Sequence, residues 1–333
     1  MKLSILDQAP IAWEGTAAEA LNNMADSAVL AEQLGYHRFW IAEHHNTPSL
    51  ASSAPEISLA YIAGRTSSIR LGTGGTMMMH YSPLKMAEVF KTLSAYAPGR
   101  IDFGAGRAPG GDRASIFALS EGRAPLTEGM YEKLYQTIQY FQDEECGEAL
   151  YDNVIAQPQM VEPPMPFMLG STGNSAVQAA RMGLPYAYVH FFTGDIDPTI
   201  LEMYREKFVP SAFCKEPYVL VCYYVTVGKT SEEANYHGWP ADISRMQLHR
   251  GILKRRMHPD MAKDYPLSDT ERAFIKQMEG WHIRGAVHEV VAYLKQQQEE
   301  MQLDEVMICS IPHAQEYKLW EYKAIIEEWN KSN

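Results

Sequence analysis

Eight strand-like segments, each followed by a segment of helical periodicity, alternate along this chain without interruption. The strands fall at 2–9, 37–44, 69–77, 100–108, 165–171, 184–192, 218–228 and 305–311. Apolar runs such as 219–227 lack polar alternation, the pattern of strands covered on both faces. Helix signals sit between them. Thr16 and Glu19 form a capping box ahead of an apolar face of Leu21, Met24, Ala25, Ala28, Ala31 and Leu34, and Gly35 stops that helix. Ser82 and Pro83 suit the N-cap and first position of another, and Thr230 with Glu233 makes a second capping box. A doubly wound open sheet would also alternate, but eight units without a nucleotide fingerprint favour an α/β (β/α)8 TIM barrel. No Gly/Ser/Pro-rich linker divides the chain, so one domain over 1–333 is expected, with insertions near 108–125 and 235–283 at the C-terminal mouth.

Composition narrows the partners. A formal charge of −12 argues against nucleic acid and anionic membrane surfaces, which would repel the molecule. No apolar run reaches the roughly 18 residues of a membrane span. The start, MKLSILDQAPIAWEG, has one lysine and an apolar run broken by Asp7 and Pro10, which fits a first strand better than a signal peptide. The four cysteines (Cys146, Cys214, Cys222, Cys309) form no CxxC pair, so reduced thiols and a cytoplasmic setting are expected.

In a barrel of this kind chemistry collects at the carboxyl ends of the strands. The second strand ends in Glu43, His44 and His45, and the third in Gly74, Gly75 and Thr76. The fourth ends in Gly104, Gly106 and Arg107, and the fifth in Gly170, Ser171 and Thr172. Glycines at strand ends mark a close approach of backbone to something else. None of these ends sets a nucleophile beside a base, so the mouth suits a flat or phosphorylated ligand better than acyl transfer. The stretch LGSTGNSAVQAARMG runs strand, glycine, hydroxyls, helix: an anion site by virtue of free N–H groups and the helix dipole. Ser171, Thr172 and Ser175 could add hydroxyl donors there, Arg107 a fixed charge; an ordinary N-cap would need only one hydroxyl. IRGAVHEV at 283–290 is a second helix start of this type, without hydroxyls. The EHH triplet suits proton transfer through a histidine that titrates near neutrality. A metal would require further ligands, with Glu43, His80 and His190 the candidates, and none is expected; a metal-dependent hydrolase using His44 and His45 is the reading that would contradict this. The three methionines 77–79 fit core filling or a substrate wall.

Together LGYHRFWIAEHHNTP, IRLGTGGTMMMHYSPLKMAE, APGRIDFGAGRAPGGD and PFMLGSTGNSA resemble the bacterial luciferase-like, flavin-dependent monooxygenase superfamily, especially its compact single-chain members, across essentially the whole chain. The resemblance implies a barrel that binds flavin mononucleotide (FMN) at its mouth. It also implies a non-proline cis peptide beneath the flavin ring, with Gly74–Gly75 in the matching place. His44 matches the family's active-site histidine. Arg107, Ser171, Thr172 and Ser175 match phosphate contacts, and Gly75, Thr76 and Gly170 lie at the same strand ends. Reduced FMN would come from a separate NAD(P)H:flavin reductase, oxygen would be the co-substrate, and a small organic molecule would be oxidised in a dry pocket. A homodimer is the family expectation. Luciferases proper carry a reactive cysteine where Gly106 stands here and pair unlike subunits, which argues against light emission. Two further readings of the resemblance are hydride transfer with a deazaflavin and flavin binding without turnover.

Overall fold

The structure, a computed structural model, describes residues 2–108, 110–123, 129–144, 153–252 and 254–331. Ten strands form one sheet: β1 (Lys2–Asp7), β2 (Arg38–Ile41), β3 (Arg70–Thr73), β4 (Thr76–Met77), β5 (Ile101–Gly106), β6 (Met165–Gly170), β7 (Tyr186–Val189), β8 (Val219–Gly228), β9 (Ile283–Ala286) and β10 (Glu305–Cys309). Eight of them close a parallel barrel in the order β1-β2-β3-β5-β6-β7-β8-β10, since β10 pairs with both β8 and β1. The helices between them lie outside, so each strand is covered on both faces. All ten residues of β8 are buried, as its unbroken apolar run requires.

Side-chain alternation separates an outer core from an inner one. On β8, Val219, Val221, Tyr223 and Val225 join the helix-facing cluster, while Leu220, Cys222 and Tyr224 point inward with Leu6, Trp40, Phe167 and Met307. At the amino end of the barrel the interior is ionic. Arg38 bridges Asp102 (2.6 Å) and Glu305 (2.7 Å), Arg70 adds a second contact to Asp102 (2.6 Å), and both carboxylates are fully buried. Buried charges persist only when paired and hydrogen-bonded, and here every partner is another strand of the barrel.

The third strand departs from the expected unbroken segment. A cis peptide joins Gly74 to Gly75 and splits it into β3 and β4. Opposite β5, Gly72 pairs with Asp102 but Thr76 with Ala105, so the split strand carries one extra residue, a bulge. Thr73 and Thr76 repair the broken ladder: the Thr76 hydroxyl donates to Thr73 Oγ1 (3.0 Å), whose own hydroxyl donates to the Gly104 carbonyl (3.0 Å).

Helix signals were mostly reliable. Thr16 and Glu19 make the full capping box of α1 (Ala17–Leu34), and Gly35 ends it with φ 82°. Leu21, however, is 37% exposed: the buried stripe runs through Ala20 and Ser27 instead. The next helices are α2 (Pro55–Ala63) and α3 (Pro83–Tyr96), the latter with Ser82 and Pro83 as expected. Within 108–125 lies a short helix, α4 (Arg113–Leu119), capped by Asp112. The following α5 (Met130–Phe141) is described from its N-cap onward; residues 124–128, Pro109 and Cys146 lie outside the described residues. Next come α6 (Gly173–Arg181) and α7 (Pro198–Glu206). The 184–192 strand ends at Val189 in a 3-10 turn.

In the 235–283 excursion, α8 (Ser231–His249) continues through Pro240, followed by α9 (Pro259–Lys263) and α10 (Asp269–Gln277). Thr230 caps α8, but Glu233 accepts from Lys229 N (2.7 Å) rather than closing a box on Thr230. Residues 283–286 are strand β9, paired with the outer half of β8, and the chain closes with α11 (Val287–Glu300) and α12 (Gln315–Asn330). No described helix is long and apolar enough to cross a membrane.

A Cβ on Gly104 would lie 2.0 Å from the Thr73 carbonyl oxygen, whereas one on Gly106 meets nothing closer than Leu169 Cβ at 3.8 Å. Gly104→Ala is therefore expected to cost about 3 kcal/mol or more, and Gly106→Ala less than about 1 kcal/mol. Urea unfolding of both variants checks this; equal midpoints would show that the bulge is not rigid.

Candidate functional site

At the carboxyl end of the barrel lies a cavity of about 380 Å3, within the range of small-molecule sites. Its floor is the inner core: Leu6, Trp40, Leu169, Leu220 and Met307. One side is bare backbone. The inward positions of β3 and its continuation are Gly72 and Gly74, and those of β5 above Asp102 are Gly104 and Gly106. Trp40 fills part of the space this leaves: a Cβ on Gly72 would fall 2.6 Å from the indole nitrogen, and one on Gly74 3.2 Å from the ring and 2.6 Å from Leu6. A Cβ on Gly75 would press on the Gly104 carbonyl and Leu169, both 3.0 Å away. Packing below the cavity thus demands glycine at 72 and crowds positions 74 and 75, and the result is a wall on which Gly74 and Gly75 expose only main chain.

His44 stands at the opposite rim. Its Nδ1 lies 2.7 Å from the Glu43 carbonyl, an acceptor only, so that nitrogen carries the proton and Nε2 is left as an acceptor. Burial pushes the imidazole down to about 4; Glu43 opposes the shift and His45 adds to it. His44 is therefore neutral at physiological pH. The neighbours in the triplet do other work. Glu43 is buried and accepts from Met77 N (2.9 Å), the Tyr81 hydroxyl (2.5 Å) and His45 Nε2 (2.8 Å), fixing the chain just beyond the cis peptide. Among the described residues no group of three His, Cys, Asp or Glu is placed to hold a metal ion. His190 is buried against the Tyr223 ring, centroids 4.7 Å apart, outside the cavity wall.

The far end of the cavity is the loop between β6 and α6. Gly170, Ser171, Thr172 and Ser175 all line it, as does Arg107. They are not equivalent. Thr172 is the N-cap of α6, and Ser175 is committed inside the cap: its hydroxyl donates to the Thr172 carbonyl (2.8 Å) and meets the Tyr186 hydroxyl at 2.9 Å. Gly170 is required because a Cβ there would strike Ser175 Oγ at 2.2 Å. The groups left to meet a ligand are the Ser171 hydroxyl, the exposed Arg107 guanidinium, which makes no ion pair among the described residues, and the first-turn amides of Gly173 and Asn174. A guanidinium, a hydroxyl and a helix N-terminus are the donors of a phosphate cradle.

The residues matched to the catalytic histidine and the flavin contacts thus meet at one cavity except Thr76, its hydroxyl spent on the bulge; of the other strand-end residues Glu43, His45 and Gly104 do not line it. The 283–290 helix start does not line it either, and Glu289 already accepts from Ala286 N at 2.9 Å. Of the three methionines Met77 reaches the wall, while Met78 and Met79 are buried elsewhere. The sequence reading missed Gln8, Tyr131, Phe191 and Phe192. Gln8 and the two phenylalanines follow the ends of β1 and β7, so the strand-end rule could have found them.

Comparison with known proteins gives a consistent result. The chain matches the luciferase-like monooxygenase family over residues 1–273. It is 33% identical to a luciferase-like monooxygenase of Escherichia coli K12 over 305 residues, 92% of this chain and 90% of that one. It is 43% identical to the N-acetyl-S-alkylcysteine monooxygenase of Bacillus subtilis over 196 residues, 59% of this chain and 58% of that protein. Among solved structures, apo-MsnO8 superposes with a TM-score of 0.89 at 33% identity, over 98% of both chains.

Burial holds His44 near 4, against an ordinary value of about 6.5 in the unfolded chain. Between those values the unfolded chain binds the extra proton, so this contribution to stability is present above about pH 6.5 and is lost as pH falls towards 4. In His44→Asn, which keeps a donor for the Glu43 carbonyl, stability should fall less across that window. The difference, on the order of 2 kcal/mol, is read from urea midpoints at each pH. Parallel curves for the two proteins would mean that His44 is not desolvated.

Proposed function

This chain belongs to the luciferase-like monooxygenase family, and from that premise we propose that it is a two-component monooxygenase using reduced FMN and molecular oxygen on a small organic substrate. The observation that carries the reading is the pairing, in one cavity, of a side-chain-free wall at Gly74–Gly75 with a phosphate cradle at Arg107 and Ser171. A flat ring needs the first, a ribityl phosphate the second. When bound, the flavin supplies the redox chemistry with oxygen.

The chain's own residues do the rest. Arg107, Ser171 and the first-turn amides of α6 hold the phosphate by charge-assisted hydrogen bonds. Backbone at Gly74 and Gly75, with Leu6 and Leu169 below, seats the ring. His44, neutral and with Nε2 free to accept, takes a proton and gives it back during oxidation. Phe191, Phe192 and Met77 keep water from the reacting atoms. The reduced cofactor arrives from a separate NAD(P)H:flavin reductase, and the enzyme works in the cytoplasm. One barrel domain over 1–333 does this, with the segments near 108–125 and 235–283 covering the mouth. A homodimer is part of the reading: Ile57 and Tyr61, one turn apart on α2, are 69% and 55% exposed.

Titration with oxidised FMN, followed by flavin absorbance, should show stoichiometric binding. Arg107→Gln should weaken it roughly tenfold or more, the loss of a charged hydrogen bond. His44→Ala should bind FMN as the parent does, yet lose roughly 100-fold or more in substrate oxidation measured as oxygen uptake with reduced FMN. A chain that binds no FMN refutes the cofactor, and normal turnover by His44→Ala refutes the role of that residue. Turnover of reduced cofactor and substrate without oxygen uptake would turn the reading into hydride transfer.

A further inference from the structure

A second cavity of about 270 Å3 opens beside the first and shares Gln8, His44, Phe191 and Phe192 with it. It runs beneath α8. In a chain of net charge −12, no aspartate or glutamate among the described residues lines it, while Arg245, Lys254 and Arg256 do.

Arg256 is the informative residue. It is 4% exposed, and its Nε and Nη1 are buried without a hydrogen-bond partner. It makes no ion pair among the described residues; Asp242, the carboxylate on the same helix as Arg245, is already held by His282 and Arg284, each at 2.7 Å. Arg245 lies over the rings of Tyr224 (5.1 Å) and Trp281 (5.6 Å), and its one hydrogen bond, to the Trp281 carbonyl, is long at 3.5 Å. The Tyr224 hydroxyl, also on this wall, is buried and unpartnered. A guanidinium does not shed its proton in a protein, so burying one among donors leaves both its charge and its N–H groups uncompensated. Folds retain such an arrangement at a cost, and an anion that enters the pocket removes that cost.

We propose that this pocket binds the acid end of an anionic substrate: a carboxylate or sulfonate accepts hydrogen bonds from Arg256, Arg245 and Tyr224. The uncharged, oxidisable end of the molecule then runs along Phe191 and Phe192, which line both cavities, to reach His44. The inference rests on the monooxygenase reading for the fate of that far end, but the anion site stands on its own residues.

The test is calorimetric titration of the full chain with hexanoate, hexanesulfonate and hexanamide, with and without saturating oxidised FMN. At least one of the two acids should bind tenfold or more tightly than the amide. Arg256→Gln and Arg245→Gln should each abolish most of that preference while leaving the amide and FMN unaffected. Binding of the amide as tightly as both acids, no measurable binding of either acid, or a preference that survives both substitutions would overturn the proposal. Should Arg256→Gln fail to fold by circular dichroism, the parent's acid-to-amide ratio and Arg245→Gln decide alone. The FMN titration separates the two readings. A chain that binds the acids through these arginines but no FMN keeps the anion site and loses the monooxygenase; a chain that binds FMN without preferring acids does the reverse.

Discussion

Everything at the mouth of this barrel depends on where Trp40 lies. Its indole N–H donates to Asp102 Oδ2 (2.9 Å), which ties the ring to the ionic cluster at the amino end, and its face packs edge-on against Phe167. Held from below, the ring leans across β3 into the space that the inward side chains of Gly72 and Gly74 would otherwise occupy. Replacing Gly72 would push Trp40 off Asp102 and leave a buried carboxylate short of a donor, a cost far above that of an ordinary surface change. Part of the cavity floor and the Gly72–Gly74 side of its wall are two consequences of one side-chain placement.

That placement changes the meaning of the glycine-rich strand end. Glycine beside a functional cavity invites the reading that a ligand removed the side chains. Here the protein's own packing accounts for Gly72 and Gly104, whose Cβ atoms would collide with backbone, and crowds Gly74 and Gly75 against Leu6, Leu169 and the Gly104 carbonyl. Gly106 is different: its Cβ would fit, so its absence enlarges the cavity without being required by the fold. A ligand-facing wall and a packing constraint therefore coincide, and residue identity alone separates them only at position 106.

The architecture was legible in the sequence because both of its signals are local. Apolar runs in β8 and β10 and capping residues such as Thr16 and Thr230 depend on near neighbours, and these held. The strand-end rule brought His44, Gly74, Gly75, Arg107 and Ser171 to one cavity for the same reason. The hydroxyls of Thr76 and Ser175 are used locally, by Thr73 and Thr172 three residues earlier, the second at capping-box spacing. What was hidden is non-local. Arg256 follows a polar, irregular stretch that looks solvated, and only tertiary packing beneath α8 buries it. Strand β9 was read as a helix approach because four residues carry too little periodicity to be told apart from a loop.

Desolvation links the remaining pieces. Burial holds the His44 imidazole neutral, and burial leaves the Arg256 Nε and Nη1 without a hydrogen-bond partner and its charge without a carboxylate among the described residues. The two groups answer it differently, because imidazole can release its proton near neutrality and guanidinium cannot. A dry mouth thus yields an uncharged proton acceptor on one side of the shared wall and a fixed, unneutralised cation on the other. The first can exchange a proton with reacting atoms without bringing a charge of its own. The second attracts an anion into a site where water would otherwise weaken every electrostatic contact. Opening the mouth to solvent would relax both together, so the proposed proton handling and the proposed anion selection both rest on excluding water.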